Sequence, residues 1–242
     1  MGVTTANLKG NNVKRRSVLS SLGAFGLSLV TLPATGWAAA FSSKDATAAL
    51  RAALDKGAEV AVSQLGANNG FLNNDKVRIG LPSPLDKAAP VLQAMGRGQQ
   101  LQQLTESMNH AAEQAVSLAR PLLRKAIQNM SVQDAAGILQ GGDNAVTEYF
   151  ARKTREPLTT QFQPVVNRSL EKLSVTQHYN DLAGKAQRFG LLQGQGGTLQ
   201  DHVTNKALDA LFMVIGEEER KIRQDPVGTG SAILKKVFGA LK

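Results

Sequence analysis

The sequence predicts an all-α fold: a single-domain bundle of about eight to nine helices, with one short irregular or extended segment near residues 71–81. Three observations carry this. Apolar residues recur at three- and four-residue spacing over almost the whole chain after residue 43. Ser83, Ser131 and Thr198 are each followed three residues later by Asp, the pattern of a capped helix start. Alternation of period two occurs at Val77, Ile79 and Leu81, a stretch too short to found a sheet-based domain.

The first forty residues stand apart. They hold no Asp or Glu, and their charges are Lys9, Lys14, Arg15 and Arg16. Arg15-Arg16-Ser17-Val18-Leu19 fits the twin-arginine recognition pattern, followed by a weakly apolar run to Leu32 that is too short to span a bilayer. Ala38-Ala39-Ala40 supplies the small-residue pattern that signal peptidase requires. The expectation is an export signal, residues 1–40, recognised through Arg15 and Arg16 and cut after Ala40, with a cut after Ala38 as the alternative. The twin-arginine export machinery is the expected partner of the precursor, Sec being the alternative, and the destination is the periplasm.

The domain 41–242 then follows. Ser43 opens a helix to about Leu65, closed by Gly66 and the Asn68-Asn69-Gly70 turn. Phe71 to Leu81 is the irregular stretch. Ser83 caps a helix with Pro84 in its first turn, which stops near Gly96 and Gly98. A longer helix is expected from Gln99 through Ala119, kinked at Pro121 and continuing to Met130. Ser131 caps a short helix ending at Gly141-Gly142, Asp143 starts another, and Pro157 opens the next, bent by Pro164. Residues 174–189 form a further helix, followed by the Gly190 to Gly197 loop. Thr198 caps a long helix to Gln224, with Glu217–Lys221 and Glu219–Arg223 at ion-pair spacing on its polar face. Asp225-Pro226 ends it, and an amphipathic helix from Ser231 to Leu241 closes the chain.

Composition narrows the function. The signal holds four of the 28 basic residues and none of the 19 acidic ones, which leaves the domain a formal +5 of the total +9. Basic and acidic residues alternate along it as on a solvated surface, so no nucleic-acid partner is expected. No cysteine is present, which excludes disulfides, thiol catalysis and thiolate metal sites. The single Trp, Trp37, lies in the signal, so the mature protein should lack tryptophan fluorescence. No segment of the mature chain reads as a transmembrane span. No G-x-S-x-G, H-E-x-x-H, P-loop or dinucleotide fingerprint occurs, which removes the usual grounds for proposing an enzyme. No cofactor is expected.

Phe71-Leu72-Asn73-Asn74 with the following Val-Arg-Ile and Leu-Pro, Ser107-Met108-Asn109, Ile138 to Asp143, Thr147 to Phe150, Tyr179-Asn180-Asp181 and the run Lys206 to Glu219 together resemble a bacterial family of exported helical proteins, the domain of unknown function family 4197. The resemblance spans nearly the whole mature chain. It implies an all-α, periplasmic or envelope-associated domain and brings no activity with it. Many members carry Sec or lipoprotein-type signals, so the twin-arginine start is a departure.

Two clusters are candidates for chemistry. Phe71, Leu72, Asn73 and Asn74, with Asn109, combine apolar and amide groups on an irregular segment, a mixture suited to ligand or partner contact. The plainer reading is a loop that folds back to plug the bundle. Glu106, Asn109, His110 and Glu113 share one helical face, and Glu106, His110 and Glu113 are the candidate metal ligands. The plainer reading there is a solvated face. The leading expectation is a non-catalytic binding or interaction protein of the cell envelope, taking a protein partner or a lipid-like ligand. The alternative is a metal-dependent or other periplasmic enzyme centred on Glu106, His110 and Glu113.

Overall fold

A computed structural model describes residues 43–142, 144–172, 175–188 and 198–225. Among these residues there are eight helices and no strand, forming an all-α domain. They are α1 (Ser43–Leu65), α2 (Ser83–Ala94), α3 (Gly98–Val116), α4 (Arg120–Gln128), α5 (Val132–Gln140), α6 (Ala145–Lys172), α7 (Val175–Arg188) and α8 (Leu199–Gln224). The export signal with Arg15, Arg16 and the cleavage after Ala40, the cap Asp143, the 190–197 loop and the 231–241 helix lie outside the described residues.

α8 is the axis of the bundle and packs against α6, α1 and α3. Its sequence explains why. Val203, Ala207, Leu208, Ala210, Leu211, Phe212, Val214 and Ile215 are all buried, so the helix is apolar around most of its circumference rather than along one stripe. α6 approaches so closely at Gly216 that a Cβ there would stand 2.8 Å from Thr147 Oγ1. Beyond that crossing the two helices are joined by polar pairs: Arg155 to Asp209 at 2.5 Å, Gln163 to Asp201 at 3.2 Å, and Gln200 to Asn167 at 2.8 Å. The Arg155 guanidinium also lies 5.3 Å from the centre of the Phe212 ring, where the face of the ring attracts a cation.

Capping chemistry sets several ends as the sequence predicts. Ser131 Oγ accepts from Asp134 N–H at 3.0 Å and Asp134 accepts in return from Ser131 N–H at 3.1 Å, a complete capping box for α5. Those two donations, from the Ser131 backbone and then from its hydroxyl, hold the Asp134 carboxyl below its ordinary 3.8. Thr198 caps α8 through Asp201 N–H at 3.1 Å. At α2 the expectation is corrected by one position: Pro82 is the N-cap, Ser83 begins the helix, and no side chain caps it.

The prolines correct the reading twice, in opposite directions. The helix expected to run through Pro121 is broken. α3 stops at Val116, Leu118 N–H and Ala119 N–H turn back to Ala115 and Val116, and Pro121 sits in the first turn of a new helix. The break lets buried Ala119 and Leu123 turn inward, where α4 packs on α1. At Pro157 the expected helix start is absent: α6 runs through it, and Pro164 lies inside the same helix. Each proline removes the donor for the carbonyl four residues earlier, at Lys153 and Thr160. All four residues are exposed, so water reaches the orphaned carbonyls, while Leu158, Phe162, Val166 and Leu170 bury the opposite face.

The polar face of α8 is also rearranged. Glu217 pairs with Lys76 at 2.9 Å and Lys221 with Glu218 at 2.5 Å, in place of the expected Glu217–Lys221 pair. Glu219 is only 2% exposed and belongs to the interior.

Candidate functional site

The stretch between α1 and α2 is built by short-range hydrogen bonds and then fastened by two buried polar side chains. Gly70 closes the turn after α1 because nothing larger fits: a Cβ there would lie 2.2 Å from the Gln64 carbonyl oxygen. Its neighbour Asn69 takes a positive φ of 60°, a region where asparagine is enriched. The Asn74 carbonyl accepts from Val77 and Arg78 N–H at 3.0 and 2.8 Å, and its side chain accepts from Lys76 N–H at 3.2 Å. The chain then runs extended from Arg78 to Pro82 without pairing to any strand.

Asn109 on α3 takes the place of that missing strand. Its carboxamide oxygen accepts from Ile79 N–H at 2.8 Å, and its nitrogen donates to Ile79 C=O at 2.9 Å and to Thr105 C=O at 2.7 Å. One turn further along, Glu113 accepts from Phe71 N–H at 3.3 Å and from His110 Nδ1 at 2.9 Å. Because a carboxylate only accepts, Nδ1 of His110 carries the hydrogen in that bond.

The residues expected to contact a ligand are thus mostly structural. Phe71 and Asn109 are fully buried, Leu72 is half-buried, Asn74 organises the turn, and Asn73 is exposed. The plainer reading of Phe71, a plug for the bundle, is what the structure places there. The expected metal ligands do not converge. His110 and Glu113 meet, but Glu106 accepts from Gln102 at 2.9 Å, and no group of three or more His, Asp or Glu is placed to hold a metal ion among the described residues.

The clefts among the described residues include three of a few hundred Å³. One, of about 280 Å³, lies between α4 and α6, where the Tyr149 hydroxyl already donates to the Ala126 carbonyl at 2.8 Å and burial pushes its pKa up to about 12. Another, of about 510 Å³, runs between α5 and α6 past Gln133, Asp134, Glu148 and Arg152, and is largely polar. The third, of about 300 Å³, lies between the extended segment and α8.

This third cleft is the candidate site. From α8 come His202, Lys206, Asp209, Ala210 and Met213, one stripe at helical spacing. From the other wall come Lys76, Val77, Arg78, Gly80 and Leu81. His202 Nε2 ties the walls together by donating to the Gly80 carbonyl at 3.0 Å. Lys76 is neutralised by Glu217 and Asp209 by Arg155, which leaves Arg78 and Lys206 as two exposed cations beside Val77, Leu81 and Met213. The sequence pattern marked none of Arg78, His202 and Lys206 as site residues. The local signal was there in part: the alternation that turns Val77 and Ile79 inward turns Lys76 and Arg78 outward.

An all-α, cysteine-free domain with a loop clamped onto its central helices is the class of protein these features define. The model of the family described as "Protein of unknown function (DUF4197)" matches residues 40–239, and the chain belongs to that family. No curated protein matches the chain, and no solved structure does.

Proposed function

We propose that this is a non-catalytic binding protein of the cell envelope and that its binding site is the cleft between residues 76–81 and α8. The observation that carries the reading is the way the cleft wall is made. A fully buried asparagine fastens the wall itself at Ile79, and a nearly buried glutamate on the same helix fastens the start of the irregular stretch at Phe71. Buried polar groups are stabilising only when fully satisfied, and here they are spent on rigidity at one place on the surface. A preformed wall lowers the ordering entropy lost when a ligand binds. The envelope assignment rests on the twin-arginine pattern and the Ala-Ala-Ala site. No helix among the described residues is long and apolar enough to cross a membrane.

Native mass spectrometry of protein recovered from its own host, without detergent or chelator, tests the reading. A bound mass that is captured by a photo-crosslinker at Met213, and not by one at exposed Val91 on α2, supports it. Capture at both positions alike, or no bound mass at all, overturns it. Fractionation tests the compartment: a mature protein beginning at Phe41 and lacking tryptophan emission is expected outside the cytoplasm. Changing Arg15 and Arg16 together to Lys should retain the precursor inside if the twin-arginine route is used, and should leave export intact if Sec is used.

A further inference from the structure

We infer that the cleft between the extended segment and α8 takes a single-chain anionic amphiphile, an oxyanion headgroup carried on an acyl tail. This inference rests on the reading of that cleft as the binding site and adds the class of ligand. The charge balance decides the headgroup. Of the four charged side chains lining the cleft, Lys76 and Asp209 are each paired with a partner, Glu217 and Arg155. Arg78 and Lys206 have no ion partner among the described residues, so the walls present two like charges across a shared space. Two unpaired cations lining one cleft favour an anionic group in it, and a guanidinium offers a planar fork that matches a carboxylate or phosphate.

The floor decides the tail. Val77, Leu81, Ala210 and Met213 adjoin those cations, and methionine adapts its shape to a flexible chain. A volume of about 300 Å³ is at the small end of ligand sites, which run from roughly 300 to 1,000 Å³, and suits one chain rather than a branched lipid. His202 supports the site by its Nε2–H bond to Gly80, which leaves Nδ1 unconstrained by that contact.

Calorimetric titration of the mature protein with dodecyl phosphate, below its micelle concentration, tests this. The expected result is one site, an affinity that falls as salt rises, and at least a tenfold loss in a variant carrying Arg78→Ala and Lys206→Ala. Both side chains are exposed, so the variant should melt with the wild type. Arg78→Glu should weaken binding further. Inorganic phosphate should bind at least tenfold more weakly than dodecyl phosphate, and dodecyl maltoside should not compete. Equal binding of inorganic phosphate overturns the amphiphile, and equal binding of the maltoside overturns the anionic headgroup. Flotation with anionic vesicles in the absence of any binding to monomeric dodecyl phosphate would mean a membrane-docking face and also overturns it. A neutral molecule crosslinked at Met213 would leave the cleft as the binding site and overturn the ligand class alone.

Discussion

Asn109 and Ile79 are bonded to each other as two residues of neighbouring strands would be, although one of them is the side chain of a helix. The pair lies in the interior, so neither backbone group of Ile79 has water to fall back on. Asn109→Ala should therefore lower stability by about 2–6 kcal/mol, since two buried groups lose their partner at ~1–3 kcal/mol each. Asn109→Asp should be worse at neutral pH, because a carboxylate would face the carbonyls of Ile79 and Thr105, and should recover in acid as it protonates. Urea midpoints at pH 7 and pH 4 would check both. An Asp variant as stable as wild type at pH 7 would sink the account.

Gly70 and Gly137 should respond with opposite signs to the same change. At Gly70 a methyl would meet backbone carbonyls at 2.2 and 2.9 Å, which cannot rotate away, and Gly70→Ala should destabilise by about 3 kcal/mol. Gly137 lies inside α5 with nothing within 4 Å of a built Cβ, and there Ala should stabilise by ~0.5–1 kcal/mol. Thermal melts of the two single variants suffice.

The α5 capping box predicts an acid-sensitive increment. Asp134 titrates below 3.8 in the folded chain, so its contribution is complete above that pH and disappears as pH falls through the lowered value. Ser131→Ala should lower stability by about 1 kcal/mol at pH 7 and by distinctly less at pH 2. A penalty that stays constant with pH would mean the carboxylate takes no part in the cap.

Tyr149 predicts the reverse behaviour in base. Burial raises its phenol from 10.0 to about 12, so the protonated form is favoured by folding. That stabilisation is full below pH 10 and is lost as pH rises through about 12. Wild type should lose more stability between pH 9 and pH 11 than Tyr149→Phe does. At pH 8 the Phe variant should be weaker by ~0.5–1.5 kcal/mol for the lost bond to Ala126. With only Tyr149 and Tyr179 in the chain, absorbance of the phenolate reports the titration directly.

What could be read in advance follows from range. α1, α5 and α8 were legible because their ends are written in neighbouring residues: Gly66 after Leu65, Ser131 with Asp134, Thr198 with Asp201. The family was legible because its motifs are spread over the whole chain. Pro121 and Pro157 were misread because tertiary packing decides whether a proline starts a helix or is carried within one. All of Pro121, Pro157 and Pro164 are exposed, yet a new helix begins at Arg120 and packs on α1, whereas α6 runs on through the other two. Asn109 was grouped with His110 and Glu113 by shared face, and its real partner is 30 residues upstream on a segment without regular structure. The cleft was out of reach for the same reason. Arg78 and Lys206 are far apart in sequence, and only the packing of the loop beside α8 brings them to one cleft.

The pairing of α1 with α8 has a consequence for how the domain comes into being. The first described helix buries Leu50, Leu54 and other apolar residues partly against the last, and α3 and α6 depend on that same helix. During synthesis the ribosome must add every residue from Leu65 to Leu199 before the centrepiece starts to emerge, a wait on the order of ten seconds at ~5–20 residues per second. Throughout that interval the flank of α1 that α8 covers stays open, although α3, α4 and α5 can already pack on other parts of that helix. Chaperones therefore have a generous window in which to find that flank, and premature termination anywhere before α8 yields a chain without its keystone.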